Sequence, residues 1–257
     1  MSPWWREQIS ARIAPGGITL LRNSRGPRRR ALSRQTVAVS TPDSTAWQPI
    51  VALLGVQIEA RKWRNADLGV TLGGHLARYL VLPWIENLRD ADALAYARQS
   101  FVDVHGAAAE NWAISLSRAV QGLPRIAAAA DGELIEALHS QARSLRLKLR
   151  SVRPVLAAAV EDLARVDGRM TGWLAIVESG HSCVARFRGG ECMAVRTARF
   201  AEPAEQHLLA QLEQDALCAG LESGTGKLYV HAALPLDDTP LQERGWKVLP
   251  LPGWCPA

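Results

Sequence analysis

Residues 171–200, TGWLAIVESGHSCVARFRGGECMAVRTARF, read as three strands joined by two tight turns. The runs 173–177, 183–187 and 193–200 are apolar or alternating, and Gly180-His181 and Gly189-Gly190 supply the turn chemistry between them. Pro203 then opens a helix to about residue 219, because a first helical turn leaves its N–H groups unpaired anyway. A three-strand meander followed by a helix is the unit to look for elsewhere.

It recurs at the N-terminus. Residues 8–14, 18–23 and 29–40 read as strands, with turns at 14–17 (APGG) and 24–27 (SRGP). A helix over 47–63 follows, carrying Ile50, Leu53, Leu54, Ile58 and Trp63 near helical spacing. Each meander and helix leads to a further strand, at 67–72 and at 227–232, and each half closes on a last strand, at 145–152 and 246–251. A short helical turn at 240–244 precedes the last of these. The halves share a pattern of elements and no visible sequence.

The middle of the chain adds a strand at 77–82, after Gly73-Gly74-His75, and an amphipathic helix at 90–105 with Leu94, Ala97, Phe101 and Val104 on one face. A strand at 112–117 follows, and residues of about 83–123 form a small inserted subdomain. Residues 126–130 read as a buried strand, 133–144 as a helix with Leu134, Ile135 and Leu138 inward, and Pro154 as the start of a helix to 166. Strand, helix, strand, helix predicts parallel pairing. The first half spans 1–166 and the shorter second half 167–257.

Of the 257 residues, 48% are apolar and 21% charged, which excludes a disordered chain, and no apolar run approaches the roughly 20 residues that span a bilayer. MSPWWREQISARIAPGG has neither the basic nor the apolar region of an export signal, so a cytoplasmic protein is expected. Cys183, Cys192, Cys218 and Cys255 lack metal-ligand spacing and read as unpaired thiols. The net charge is +5 and the pI about 9.3, with Arg22, Arg25, Arg28, Arg29, Arg30 and Arg34 in one hairpin. Arg25, Arg28, Arg29 and Arg30 form either a solvated strand face or a patch for an anionic membrane surface or acidic protein. Nucleic acid ranks below these, because no nucleic-acid module accompanies the charge.

The doubled plan resembles the actin-like (ribonuclease H-like) ATPase fold, an α/β architecture. The stretches WWREQISARIAPGGITLLR, VTLGGHLARYLVLPW, LIEALHSQARSLRLKLRSVRP and GWLAIVESGHSCVARFRGGECMAVRT resemble the actin-like cytoplasmic assembly proteins of type IV pili and type II secretion, the PilM and GspL families. The resemblance implies a platform component at the inner membrane, held there by a partner's cytoplasmic peptide or by its own transmembrane segment, and coupled to a pilus or pseudopilus assembly ATPase. Without a transmembrane segment, membrane association is expected to be peripheral; the oligomeric state is left open.

Actin-like ATPases hold phosphates in two hairpin turns, where an acidic residue holds Mg²⁺ through water and glycine lets backbone N–H groups approach. Here the first turn, Ala14-Pro15-Gly16-Gly17, has no carboxylate, and Pro15 has no N–H. The second, Glu178-Ser179-Gly180, keeps the acid-x-glycine outline with Glu where Asp is usual. The strand at 227–232 runs into Leu234-Pro235-Leu236, whereas a base pocket calls for a glycine pair. Gly224-Thr225-Gly226-Lys227 is not a P-loop, because Leu221 stands where glycine is required and Leu228 where Ser or Thr is. The six histidines form no zinc spacing, and His181 with Cys183 makes no nucleophilic constellation. Trp63, Trp112 and Trp173 read as core, and Trp4, Trp5, Trp84, Trp246 and Trp254 as lids at segment ends.

The expectation is a non-enzymatic scaffold that captures a partner's peptide and needs no cofactor. The rivals are a member that binds Mg-ATP through the remnant phosphate turn Glu178, Ser179 and Gly180, and, third, a nucleic-acid binder.

Overall fold

The computed structural model describes residues 7–24, 31–39, 46–201, 203–222, 224, 226–233 and 235–251. In chain order the strands and helices are β1 (Gln8–Ala14), β2 (Gly17–Asn23), β3 (Ala31–Ala38), α1 (Gln48–Ala60), β4 (Asp67–Leu72), β5 (Arg78–Leu82), α2 (Asp90–His105) and β6 (Trp112–Leu116). Then come β7 (Arg125–Asp131), α3 (Gly132–Ser144), β8 (Lys148–Pro154), α4 (Val155–Asp167), β9 (Gly172–Glu178), β10 (His181–Arg188) and β11 (Glu191–Arg199). The chain ends with α5 (Ala204–Cys218), β12 (Gly226–Ala232), α6 (Thr239–Glu243) and β13 (Trp246–Pro250). It divides into two compact units, one of residues 1–77, 111–113 and 130–155, the other of 78–110, 114–129 and 156–257.

The first unit is a five-stranded sheet in the order β3-β2-β1-β4-β8. The hairpin registers Ala14↔Gly17 and Ile13↔Ile18 leave a two-residue loop, and β1, β4 and β8 run parallel. Ile9, Ala11, Ile13, Leu68, Val70 and Leu72 alternate onto the face that packs with Ile50, Leu54 and Ile58 of α1 and Leu134 and Leu138 of α3. Each of the Ile, Leu and Val side chains taken out of water contributes roughly 1.5–3 kcal/mol. One carboxylate organises both helices: Asp131 Oδ1 accepts from the Glu133 N–H at the start of α3, and Oδ2 accepts from Trp47 Nε1 just before α1, each at 2.9 Å.

The second unit repeats the order as β11-β10-β9-β12-β13. The hairpins are again antiparallel and β9, β12 and β13 parallel. Trp173, Ala175 and Val177 pack with Leu208, Leu212 and Ala216 of α5, while Leu174 and Ile176 are buried on the other face. Trp246 meets Trp173 edge-on, with centroids 4.8 Å apart. At 2% exposure it is core, not the lid expected of a residue at a segment end. A three-stranded sheet β5-β7-β6 lies almost wholly in this unit, and Arg125 ties it to α2 through Asp90 at 2.7 Å.

Three further expectations are corrected. The strand-helix-strand run over β7, α3 and β8 does not pair in parallel: β7 pairs antiparallel with β5, and β8 pairs in parallel with β4. The last strand of the first unit starts at Lys148 and not at 145, although Leu145, Leu147 and Leu149 alternate. Arg146 takes φ +56° and the Leu147 N–H donates to Ala142 O at 2.8 Å, so these residues wind off α3 before the strand begins. Pro154 ends β8 opposite Leu72 instead of opening α4.

Candidate functional site

The sequence singles out two hairpin turns, and within its own unit each has the same backbone. Gly16 and Gly180 occupy the second loop position with φ +83° and +69°, as type II turns require. The Val39 N–H donates to Gly16 O at 2.9 Å, and the Phe200 N–H to Gly180 O at 3.1 Å, so each meander's third strand locks its first turn. The Gly73 N–H donates to Ile13 O at 2.7 Å, and the Ala233 N–H to Val177 O at 2.8 Å, so the strand after the helix is anchored at the same place.

The side chains around the turns differ. In the first unit the position matching Glu178 is Ala14, and Pro15 follows it. On the same face, the register Arg12↔Thr71↔Arg153 sets two arginines across three adjacent strands, with Arg12 only 4% exposed. Formal positive charge stands where a magnesium site calls for a carboxylate.

In the second unit Glu178 is present and 1% exposed, whereas Ser179 is exposed. Register places His181 opposite Glu178, and Cys183, Ile176 and His231 in one row on that face. Burial pushes the Tyr79 phenol well above its ordinary value; the charges of Cys183 and Glu178 add to this, and the Leu156 backbone partly offsets it. Burial lowers His181, as does Arg199, against the Ser179 carbonyl and Glu178, which raise it. Cys183 is pushed up by complete burial and is no nucleophile at neutral pH, and burial pushes Cys192 up to about 12.

Neither turn therefore presents a solvent-facing carboxylate to a metal ion. Among the described residues, no cluster of three or more His, Cys, Asp or Glu side chains is placed to hold one. Of the two turns, one carries no carboxylate and the other a buried one. Gly224 and Gly226 serve packing: a Cβ on Gly224 would meet Arg244 O, and one on Gly226 the Trp173 ring at 2.8 Å. Of the basic patch, Arg25, Arg28, Arg29 and Arg30 lie outside the described residues. Arg22 is bonded to Glu7 at 2.7 Å and stands over the Trp63 ring, so it belongs to a local contact.

Sequence reasoning missed a polar cluster under α5. Asp215, 2% exposed, accepts at Oδ2 from Trp173 Nε1 (2.9 Å) and Arg186 Nε (3.0 Å), and at Oδ1 from Arg196 Nε (2.9 Å). Gln211, one turn earlier, accepts from Ser182 Oγ at 2.7 Å and donates to Arg196 O at 3.1 Å. The signal was available: Gln211 and Asp215 share a helical stripe with Leu208 and Leu212, and polar residues on an inner stripe need buried partners.

No protein-family model matches the chain, and no curated protein matches it by sequence. Solved structures do match. A Bacteroides thetaiotaomicron protein with an actin-like ATPase fold and unknown function aligns at TM-score 0.66 and 12% identity, over 97% of this chain and 94% of that one. The cytoplasmic domain of EpsL, an inner membrane component of the type II secretion system of Vibrio cholerae, aligns at 0.62 and 14%, over 95% and 89%. The PilM–PilN type IV pilus biogenesis complex aligns at 0.67 and 12%, over 96% and 88%. At such identities the likeness establishes the fold, and this chain has the actin-like ATPase fold.

Proposed function

We propose that this chain is a binding scaffold of a type IV pilus or type II secretion assembly, one that captures a membrane partner's cytoplasmic peptide and does not turn over nucleotide. The observation that carries the reading is the pair of turns: Ala14-Pro15 in one unit and a buried Glu178 in the other leave magnesium no accessible carboxylate. Likeness to an EpsL cytoplasmic domain and to PilM in its complex with PilN supports the setting.

Among the described residues no helix is long and apolar enough to cross a membrane; in this reading a membrane partner's peptide is what holds the chain at the inner membrane. An extended peptide binds such a protein by main-chain pairing along a strand edge, with side-chain pockets choosing the sequence. An assembly ATPase is a second partner in this reading.

Affinity capture by the full chain from cells expressing both systems should recover an inner-membrane pilus or secretion component; recovering none would sink the assignment. A second reading, nucleotide binding without turnover, draws on the exposed Ser179 and the open φ of Gly180. Calorimetry separates the two: the scaffold reading expects no Mg-ATP binding tighter than high micromolar.

A further inference from the structure

Arg186 and Arg196 stand on neighbouring strands of the second unit, held by the two oxygens of one carboxylate through Nε alone. Two guanidinium charges face one carboxylate charge, so the cluster keeps a formal positive charge. A structural ion pair that only fixed α5 would need one arginine, and Trp173 already donates to the same carboxylate. Among the described residues the outer Nη groups of both arginines make no hydrogen bond, and none is buried without a partner. Arg186 is 23% and Arg196 39% exposed, so these donors face water while their stems are fixed from beneath by a group 2% exposed.

Guanidinium forks match the planar, divided charge of carboxylate and phosphate, and lose less freedom on binding when already held. The geometry points to an oxyanion seat on β10 and β11, in which a carboxylate or phosphate group docks across the Nη groups of Arg186 and Arg196, with Asp215 as the positioning residue. The remaining positive charge of the cluster is what the ligand neutralises. Shared use of Asp215 sets the two forks side by side, so one oxyanion can take donors from both. The seat does not depend on the scaffold reading and stands or falls apart from it.

The test is an NMR titration of the full chain at constant ionic strength, following the Trp173 indole and the Arg186 and Arg196 Nε–H signals. Inorganic phosphate is one arm and an unphosphorylated pentapeptide of glutamate the other. A saturable shift with phosphate alone identifies a free anion, and one with the peptide alone a polypeptide carboxylate. Arg196→Lys keeps the charge and loses the fork, and should weaken binding at least fivefold; Arg186→Lys repeats the test on the other strand. The control Arg188→Gln, an exposed neighbour, should leave affinity unchanged. Non-saturating shifts in both arms, or a saturable shift that survives both Lys variants at full affinity, would overturn the seat.

Discussion

The two units solve one packing problem with different chemistry. Each lays a helix across a five-stranded sheet of the same strand order, yet α1 buries Ile50, Val51, Leu54, Gly55 and Ile58, while α5 buries Gln211 and Asp215 among its leucines. Along its length α1 is held by apolar contact, and its polar anchor, Trp47 on Asp131, lies just before its first residue. In the second unit every donor on Asp215 comes from a named position on β9, β10 or β11, so sliding α5 by a turn would strand a buried charge. The same fold thus tolerates a greasy joint and a keyed one.

The largest effect expected from breaking the key is that of Asp215→Ala, which should lower stability by roughly 3–5 kcal/mol in urea unfolding followed by tryptophan fluorescence. A loss under about 1 kcal/mol would mean the cluster is surface decoration. Leu54→Ala, the counterpart under α1, should cost about 3 kcal/mol by cavity formation, with the change read by hydrogen exchange in β1 and β4. If it accelerated exchange in neither strand and the protein kept its midpoint, the apolar joint would be the weaker description.

Smaller, and expected to be equal, are Gly16→Ala and Gly180→Ala. Both glycines sit in left-handed backbone with room for a Cβ, so each should cost about 1–2 kcal/mol of conformational strain. Unequal losses would show that one turn carries a load the other does not. The smallest effect is one of pH. Burial lowers His105, His181 and His207, all of the second unit. The unfolded chain then binds protons first, so the stability these groups contribute is present above about pH 6.5 and is lost as pH falls below it. Hydrogen exchange compared at pH 7 and 5.5 should show the second unit loosening first; the reverse order would refute the assignment.

Most of the fold was legible because both meanders announce themselves. Gly16, Gly180 and Gly189-Gly190 sit where tight turns demand them, and the apolar positions of the flanking strands alternate. Pairing across distance was not legible. Nothing local in residues 125–131 says that they join β5 and not β8, since that choice is made by the rest of the sheet. Leu145-Arg146-Leu147 shows why alternation misleads at a helix exit, where an αL residue reproduces period two for three residues. Of the candidate site, the turns were visible, but the burial of Glu178 was not, because burial belongs to the partners a residue meets after folding. The Asp215 cluster went unseen for the same reason, although its charges on an inner helical stripe were there to be read.

The order β1-β4-β8 has a consequence for synthesis. β4 ends at Leu72 and its partner β8 begins at Lys148, whereas β12 ends at Ala232 and β13 begins at Trp246. A ribosome that has released only the first hundred or so residues has made four strands of a sheet whose fifth does not yet exist, and β4 presents an unpaired apolar edge until α3 and β8 emerge. The second sheet waits for no such delay. The nascent first unit is therefore the stage of this protein's life in which a chaperone has most to cover.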